Sequence, residues 1–306
     1  MIRNVFVTAI IVFAATKIPA AEPIEVFAGI PPAAYLVERI GGDRLHVEVF
    51  IQPGQDPHTF EPAPKQIQAL GKAKLFFKTG LPFENQLLEK IRAVHPRLIV
   101  VDTAEGIQKR RISGEIAGGD ARRNGEHSHG DSPDDPDPHV WLSPPLVKIM
   151  AANVASALEK INPGDDAFFK ANLVQLHREL DAVDGKIRLE LKPYAGKSFY
   201  VFHPAFGYFA DCYHLRQEAI EAGGRQPSPK QLRNLVQKAK SDGARVIFVQ
   251  PQFDPHSART VADAIGGRIV PINDMEKDIP ANLQDIADKI EKAFSIPTPE
   301  HGNEIK

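Results

Sequence analysis

From residue 25 onward, short runs of β-branched and aromatic residues alternate with longer stretches whose apolar positions recur every three or four residues. The first run, 25–30, predicts a strand. The stretch that follows, 31–40, predicts a helix opened by two prolines and closed by Gly41 and Gly42. Strands are expected again at 46–51, 75–77 and 98–101, with helices at 63–70 and 83–94. After a long interruption come a helix at 145–161 and a longer amphipathic stretch from 162 to 191. The rhythm then resumes with strands at 198–202, 216–220, 246–250 and 268–271, and helices at 205–213, 229–240, 257–265 and 282–294. Strands alternating with helices imply an α/β fold of parallel sheets covered on both faces. The two halves share a rhythm but no evident sequence repeat.

Two stretches break this rhythm. Between 115 and 137 there are seven acidic residues against two arginines, with few apolar residues among them. Such a segment cannot offset its ordering entropy by burial, so a mobile acidic loop is expected there. From 162 to 191 the apolar residues Phe169, Leu173, Leu176, Leu180, Val183 and Ile187 are spaced alternately by four and three. Asn162 is expected as N-cap with Pro163 in the first turn. Unbroken to Leu191, this helix would span about 40 Å, a strut between two lobes. Gly185 is the weak point of its last turns. The division is then a leader at 1–21, a first lobe at 22–161, the linking helix at 162–191 and a second lobe at 192–306.

Composition changes the picture at two places. A chain of 306 residues with a formal charge of −2 and no basic cluster gives no reason to expect a nucleic acid partner. Arg3 followed by the apolar run 5–15 and the small pair Ala20-Ala21 has the form of a secretory signal peptide, cleaved near Ala20 or Ala21. The run is too short to span a bilayer. An exported, periplasmic, soluble monomer is expected. Cys212 is the only cysteine, so no intramolecular disulfide is available.

The chemistry is concentrated in histidines. Asp137-Pro138-His139-Val140-Trp141-Leu142-Ser143-Pro144 ends the acidic segment, and the same Asp-Pro-His tripeptide occurs at Asp56-Pro57-His58. His203 stands in Phe202-His203-Pro204-Ala205-Phe206-Gly207-Tyr208-Phe209. Each lies near a strand end or helix start, where open α/β sheets place their ligand crevices, and each is flanked by proline or aromatic residues. Neutral imidazole is the commonest metal ligand. His58 and His139 belong to the first half and His203 to the second, so a shared site would lie between the lobes. Asp254-Pro255-His256 repeats the tripeptide but reads as a helix start, with Asp254 capping. His177 is expected exposed on the long helix, and His214 at a helix end. Glu61 reads either as a shield of the site or as a surface residue. His127 and His129 read as transient metal contacts or as incidental histidines of a solvated loop.

With Gly54-Gln55-Asp56-Pro57-His58-Thr59-Phe60-Glu61-Pro62, the two histidine segments just quoted, Ile247-Phe248-Val249-Gln250-Pro251-Gln252-Phe253 and Ile272-Asn273-Asp274, the chain resembles the metal-specific solute-binding proteins of bacterial ABC importers, in the zinc branch of the ZnuA/TroA-like group. The resemblance covers essentially the whole mature chain. It implies two α/β lobes joined by a long helix, with metal in the interlobe cleft held by three histidines and a carboxylate. Those positions are His58, His139, His203 and Asp274 here. It also implies that the protein is not an enzyme and that its partner is a membrane permease of the importer. Where the family continues Asp-Pro-Leu, this chain has Asp274-Met275-Glu276, so Glu276 or water stands as the alternative fourth ligand.

Three imidazoles and one carboxylate suit tetrahedral Zn²⁺, whereas manganese prefers more oxygen ligands. Manganese uptake is the nearest alternative. A zinc hydrolase, with water on the metal and Glu61 as base, is the alternative from another class; no HExxH helix supports it.

Overall fold

The computed structural model describes residues 22–92, 95–112, 136–221 and 227–296. The expected leader at 1–21, most of the acidic segment with His127 and His129, the end of the helix expected at 83–94 and the tail from 297 lie outside the described residues.

Two four-stranded parallel sheets form the two lobes. The first carries β1 (Ile24–Ala28), β2 (Leu45–Val49), β3 (Leu75–Lys78) and β4 (Ile99–Asp102), in the order β2-β1-β3-β4. Around it lie α1 (Pro31–Gly41), α2 (Pro64–Leu70) and α3 (Pro82–Arg92). After α4 (Pro144–Ile161) and α5 (Asp166–Leu191), the second sheet carries β5 (Ser198–Val201), β6 (Arg216–Ala219), β7 (Val246–Val249) and β8 (Arg268–Pro271). Its order is β6-β5-β7-β8, the same pattern as in the first lobe. Both halves therefore use one topology although their sequences show no repeat. The remaining helices are α6 (Gly207–Cys212), α7 (Pro229–Ser241), α8 (His256–Ala264) and α9 (Ile279–Phe294). In each sheet the strand order reverses beside the first strand of the lobe, which opens a crevice at the carboxyl ends there.

α5 runs unbroken for 26 residues, about 40 Å. Phe169, Leu176, Leu180, Ile187 and Leu191 bury one stripe of it, against α1 and α4 of the first lobe and α9 of the second. It starts three residues later than the capping pattern predicts, with Asp165 rather than Asn162 at the N-cap position. Pro163–Asp165 forms a single tighter turn, and the Asn162 amide donates to Asp165 Oδ2 at 2.7 Å instead of capping a helix N-terminus. Gly164 is a poor helix former at that position. The cores are also less separate than the two lobes suggest. One apolar cluster runs from Val26 and Phe77 through Leu176 and Leu180 to Phe199, Phe248 and Ile286. A smaller one, with Tyr200, Ile247, Leu235 and Val261, fills the far face of the second sheet beneath α7 and α8.

Candidate metal centre

The tripeptide Asp-Pro-His makes the same local bond wherever it occurs. The aspartate Oδ1 accepts the backbone N–H of the histidine two residues on, at 2.9 Å for Asp56 and His58 and at 3.0 Å for both Asp137–His139 and Asp254–His256. The intervening proline fixes φ and has no N–H to compete. The motif is therefore a way of turning the chain, and the surroundings decide what its histidine does. His256 opens α8 and is exposed. His58 lies half-buried between β2 and α2, and His139 is buried at the entrance to α4.

His58, His139 and His203 meet. Their ligating nitrogens all lie within 4.8 Å of one another. The ring centroids are 4.9 Å apart for His58 and His203, 5.3 Å for His139 and His203, and 5.8 Å for His58 and His139. His139 and His203 face each other through Nε2, at 3.4 Å. Both are turned that way by carboxylates: Asp137 Oδ1 lies 2.8 Å from Nδ1 of His139, and Glu221 Oε1 lies 2.6 Å from Nδ1 of His203. An ionised carboxylate only accepts, so each Nδ1 carries the hydrogen and each Nε2 presents a lone pair. Two buried lone pairs facing each other repel unless a cation lies between them.

Each ring is also fixed by its neighbours. His139 packs edge-on to Trp141 at 5.3 Å, and the Trp141 indole donates to the Asp274 carbonyl of the second lobe at 2.6 Å. His203 stacks on Phe253 at 5.0 Å. The buried Gln250 amide holds the His203 backbone from both sides, accepting its N–H at 3.3 Å and donating to its carbonyl at 2.8 Å. Behind His139, the Tyr208 hydroxyl of α6 donates to the Asp137 carbonyl and accepts the Arg110 N–H, each at 3.0 Å. Burial pushes the Tyr208 phenol up to about 12, so it keeps the hydrogen it donates.

Asp274 follows β8 and is buried, but it lies outside the group formed by the three histidines. Its Oδ1 accepts from the Gln252 amide at 2.9 Å. Glu276 is exposed and satisfied locally, by Asn273 at 3.2 Å and the Lys277 N–H at 3.1 Å. Glu61 is exposed. His177 is half-buried rather than exposed, with Nε2 3.2 Å from the Lys148 carbonyl, so it ties α5 to α4. His214 takes a left-handed φ of 57° just after α6. Beside the site, a cleft of about 500 Å³ is lined by Gln52 and Gln55 from the first lobe and Gln252, Asn273 and Glu276 from the second. A second group of potential ligands, Glu25, His46 and Glu48, lies at the surface on β1 and β2; there Glu25 pairs with His46 at 2.6 Å across the strands.

Asp137 stands within a quoted motif, yet sequence gave it no role. Glu221 carried no signal at all, because its relation to His203 exists only in the paired strands.

Residues 26–293 match the family described as the zinc-uptake complex component A, periplasmic (ZnuA). The chain belongs to the ZnuA family. A putative metal-binding protein of Treponema pallidum (strain Nichols) is 29% identical over 248 residues, covering 79% of this chain and 77% of that protein. The high-affinity zinc uptake system protein ZnuA of Paracoccus denitrificans (strain Pd 1222) is 27% identical over 255 residues, covering 77% and 78%. A crystal structure of ZnuA superposes with a TM-score of 0.80 at 33% identity, covering 89% of this chain and all of that one. ZnuA-family proteins are metal-binding components of uptake, not enzymes, and the hydrolase alternative falls with that assignment. Among the described residues, no helix is long and apolar enough to cross a membrane.

Proposed function

We propose that this protein binds Zn²⁺ outside the cytoplasm and delivers it to the permease of an ABC importer, with His58, His139 and His203 as ligands and Asp274 as the fourth. The observation that carries this reading is the convergence of three imidazoles from three separate turns. The spacing of two of them supports zinc. Nitrogens each about 2.0–2.1 Å from Zn²⁺ at a tetrahedral angle stand about 3.4 Å apart, and His139 Nε2 and His203 Nε2 are 3.4 Å apart. Three nitrogen donors also disfavour manganese, which takes mostly oxygen. Asp274 suits the fourth position better than Glu276 because it is buried beside Trp141, while Glu276 is exposed and bonded to its own turn. To reach the ion it exchanges its bond to Gln252 for the metal. Residues 1–21 serve as the export leader in this reading, and the permease meets the outer surfaces of the two lobes.

Equilibrium competition between zinc and manganese on the demetallated protein tests it. One tight zinc per chain, held well above manganese, is the expected result. Zinc binding no tighter than manganese, or no stoichiometric site, would refute it.

A further inference from the structure

We infer that Glu221 is a positioning residue for zinc capture: its carboxylate fixes the orientation and tautomer of the His203 ring so that the Nε2 lone pair meets the ion, and its charge strengthens that nitrogen as a donor. The inference rests on the three-histidine reading above. It starts from strand register. β5 and β6 pair in parallel with Val201 beside Ala219, and the ladder continues past both strands through Ile220 N–H to Val201 O and Glu221 N–H to Phe202 O, each 3.0 Å. In this register His203 and Glu221 are thus the second pair beyond Val201 and Ala219, 18 residues apart in sequence. Both side chains are buried, at 3% and 4% exposure, with 2.6 Å between His203 Nδ1 and Glu221 Oε1.

The other restraints named on His203 leave one choice open. Gln250 holds its backbone and Phe253 covers one ring face. An imidazole turned half-way round about its Cβ–Cγ bond keeps nearly the same shape, so these contacts tolerate either orientation. The acceptor at Glu221 does not, because only one orientation gives it an N–H. It therefore commits Nδ1 to the carboxylate and Nε2 to the site, and an anionic partner behind the ring raises the basicity of the ligating nitrogen. In the first lobe the same task falls to Asp137, which the Asp-Pro-His turn supplies from two residues away. In the second lobe no such turn precedes His203, and the carboxylate comes from the neighbouring strand.

The test uses the full mature chain with Glu221→Gln, Glu221→Ala and His203→Ala, zinc affinity by competition with a chromophoric chelator, the melting temperature of each metal-free protein, and ring ¹⁵N shifts of His203. Glu221→Gln keeps an acceptor but loses the charge, and zinc should bind ~3- to 10-fold more weakly. Glu221→Ala loses both, with a loss of ~10- to 100-fold and both His203 tautomers populated in the metal-free protein. If the alanine variant does not fold, the near-isosteric Gln variant decides: native zinc affinity there overturns the inference. So does a folded Glu221→Ala that melts lower but keeps native affinity and a single Nδ1–H tautomer, since Glu221 would then serve stability alone. His203→Ala separates the two claims. Native affinity in that variant removes the three-histidine reading itself, whereas weak binding there with native binding in the Glu221 variants removes only this inference.

Discussion

His139 has its Nδ1 committed to Asp137, its ring against Trp141 and its Nε2 facing His203. Replacing it by alanine removes a preset nitrogen that only mobile water can replace. His139→Ala should weaken zinc by at least ~10-fold, or about 1.4 kcal/mol, and unchanged affinity in a competition titration would contradict its role as ligand. His203→Glu addresses the choice of metal. It leaves two nitrogens and adds carboxylate oxygens, a set closer to what manganese takes. Zinc should weaken and the zinc-over-manganese ratio narrow, measured by parallel titration with both ions; a ratio equal to the native one would place His203 outside the ligand set. Asp274→Ala should be milder than His203→Ala, because water substitutes more readily for one carboxylate oxygen than for an oriented imidazole.

Two elements carry predictions independent of the metal. In α5, Gly185 lies within an unbroken helix, and a Cβ added there meets nothing within 4 Å. Glycine in that position costs unfolded-state entropy without any steric gain, so Gly185→Ala should stabilise the protein by about 0.5–1 kcal/mol in denaturant titrations. A destabilised variant would mean that the helix bends there in solution. In α3, Glu84 is fully buried, and its Oε2 accepts the N–H groups of Thr79, Gly80 and Leu81 at 3.0, 2.6 and 2.8 Å. Burial outweighs those bonds and pushes the carboxyl up to about 7. A folded-state value above the unfolded one means that this group favours the fold most below about 4.5, and that the contribution is lost as pH rises through about 7. Glu84→Gln should therefore show a shallower fall in metal-free stability between pH 5 and 8 than the native protein, by on the order of 2–3 kcal/mol across that window. Parallel slopes would show that the carboxyl titrates normally. Gly29 belongs to the same device, since a Cβ there would stand 1.9 Å from Glu84 Oε1.

For the whole molecule, the proposed zinc site gathers residues 58, 139 and 203, which lie far apart in the unfolded chain. Zinc should bind the folded state almost exclusively and raise the melting temperature, with about 2.7 kcal/mol gained at free zinc 100-fold above its Kd. His139→Ala should lose most of that rise in thermal scans, and an equal rise in both proteins would point to binding elsewhere. Much of this architecture was legible in one dimension. Short β-branched and aromatic runs located the strands and apolar periodicity the α-helices, within a few residues, because strands buried on both faces read as continuous apolar runs and one-sided helices write a period of 3.6 into the sequence. The long helix was visible from its four-three spacing, and the three histidines from their rigid flanks. Other features depended on contacts between distant segments. The common strand order of the two halves is set by which strands pair, which side-chain periodicity does not encode. The core shared between lobes follows from α5 packing on α1, α4 and α9 together. His58, His139 and His256 share one tripeptide and one local bond, yet only the first two reach the site. Glu221 meets His203 only because β5 and β6 are neighbours in register. The sequence by itself determined the elements, the turns and the nitrogen donors, since these follow from local sterics and side-chain chemistry. Only the tertiary structure decided which nitrogens face one another and which carboxylates stand behind them, because strand pairing and helix packing bring those groups together from distant parts of the chain.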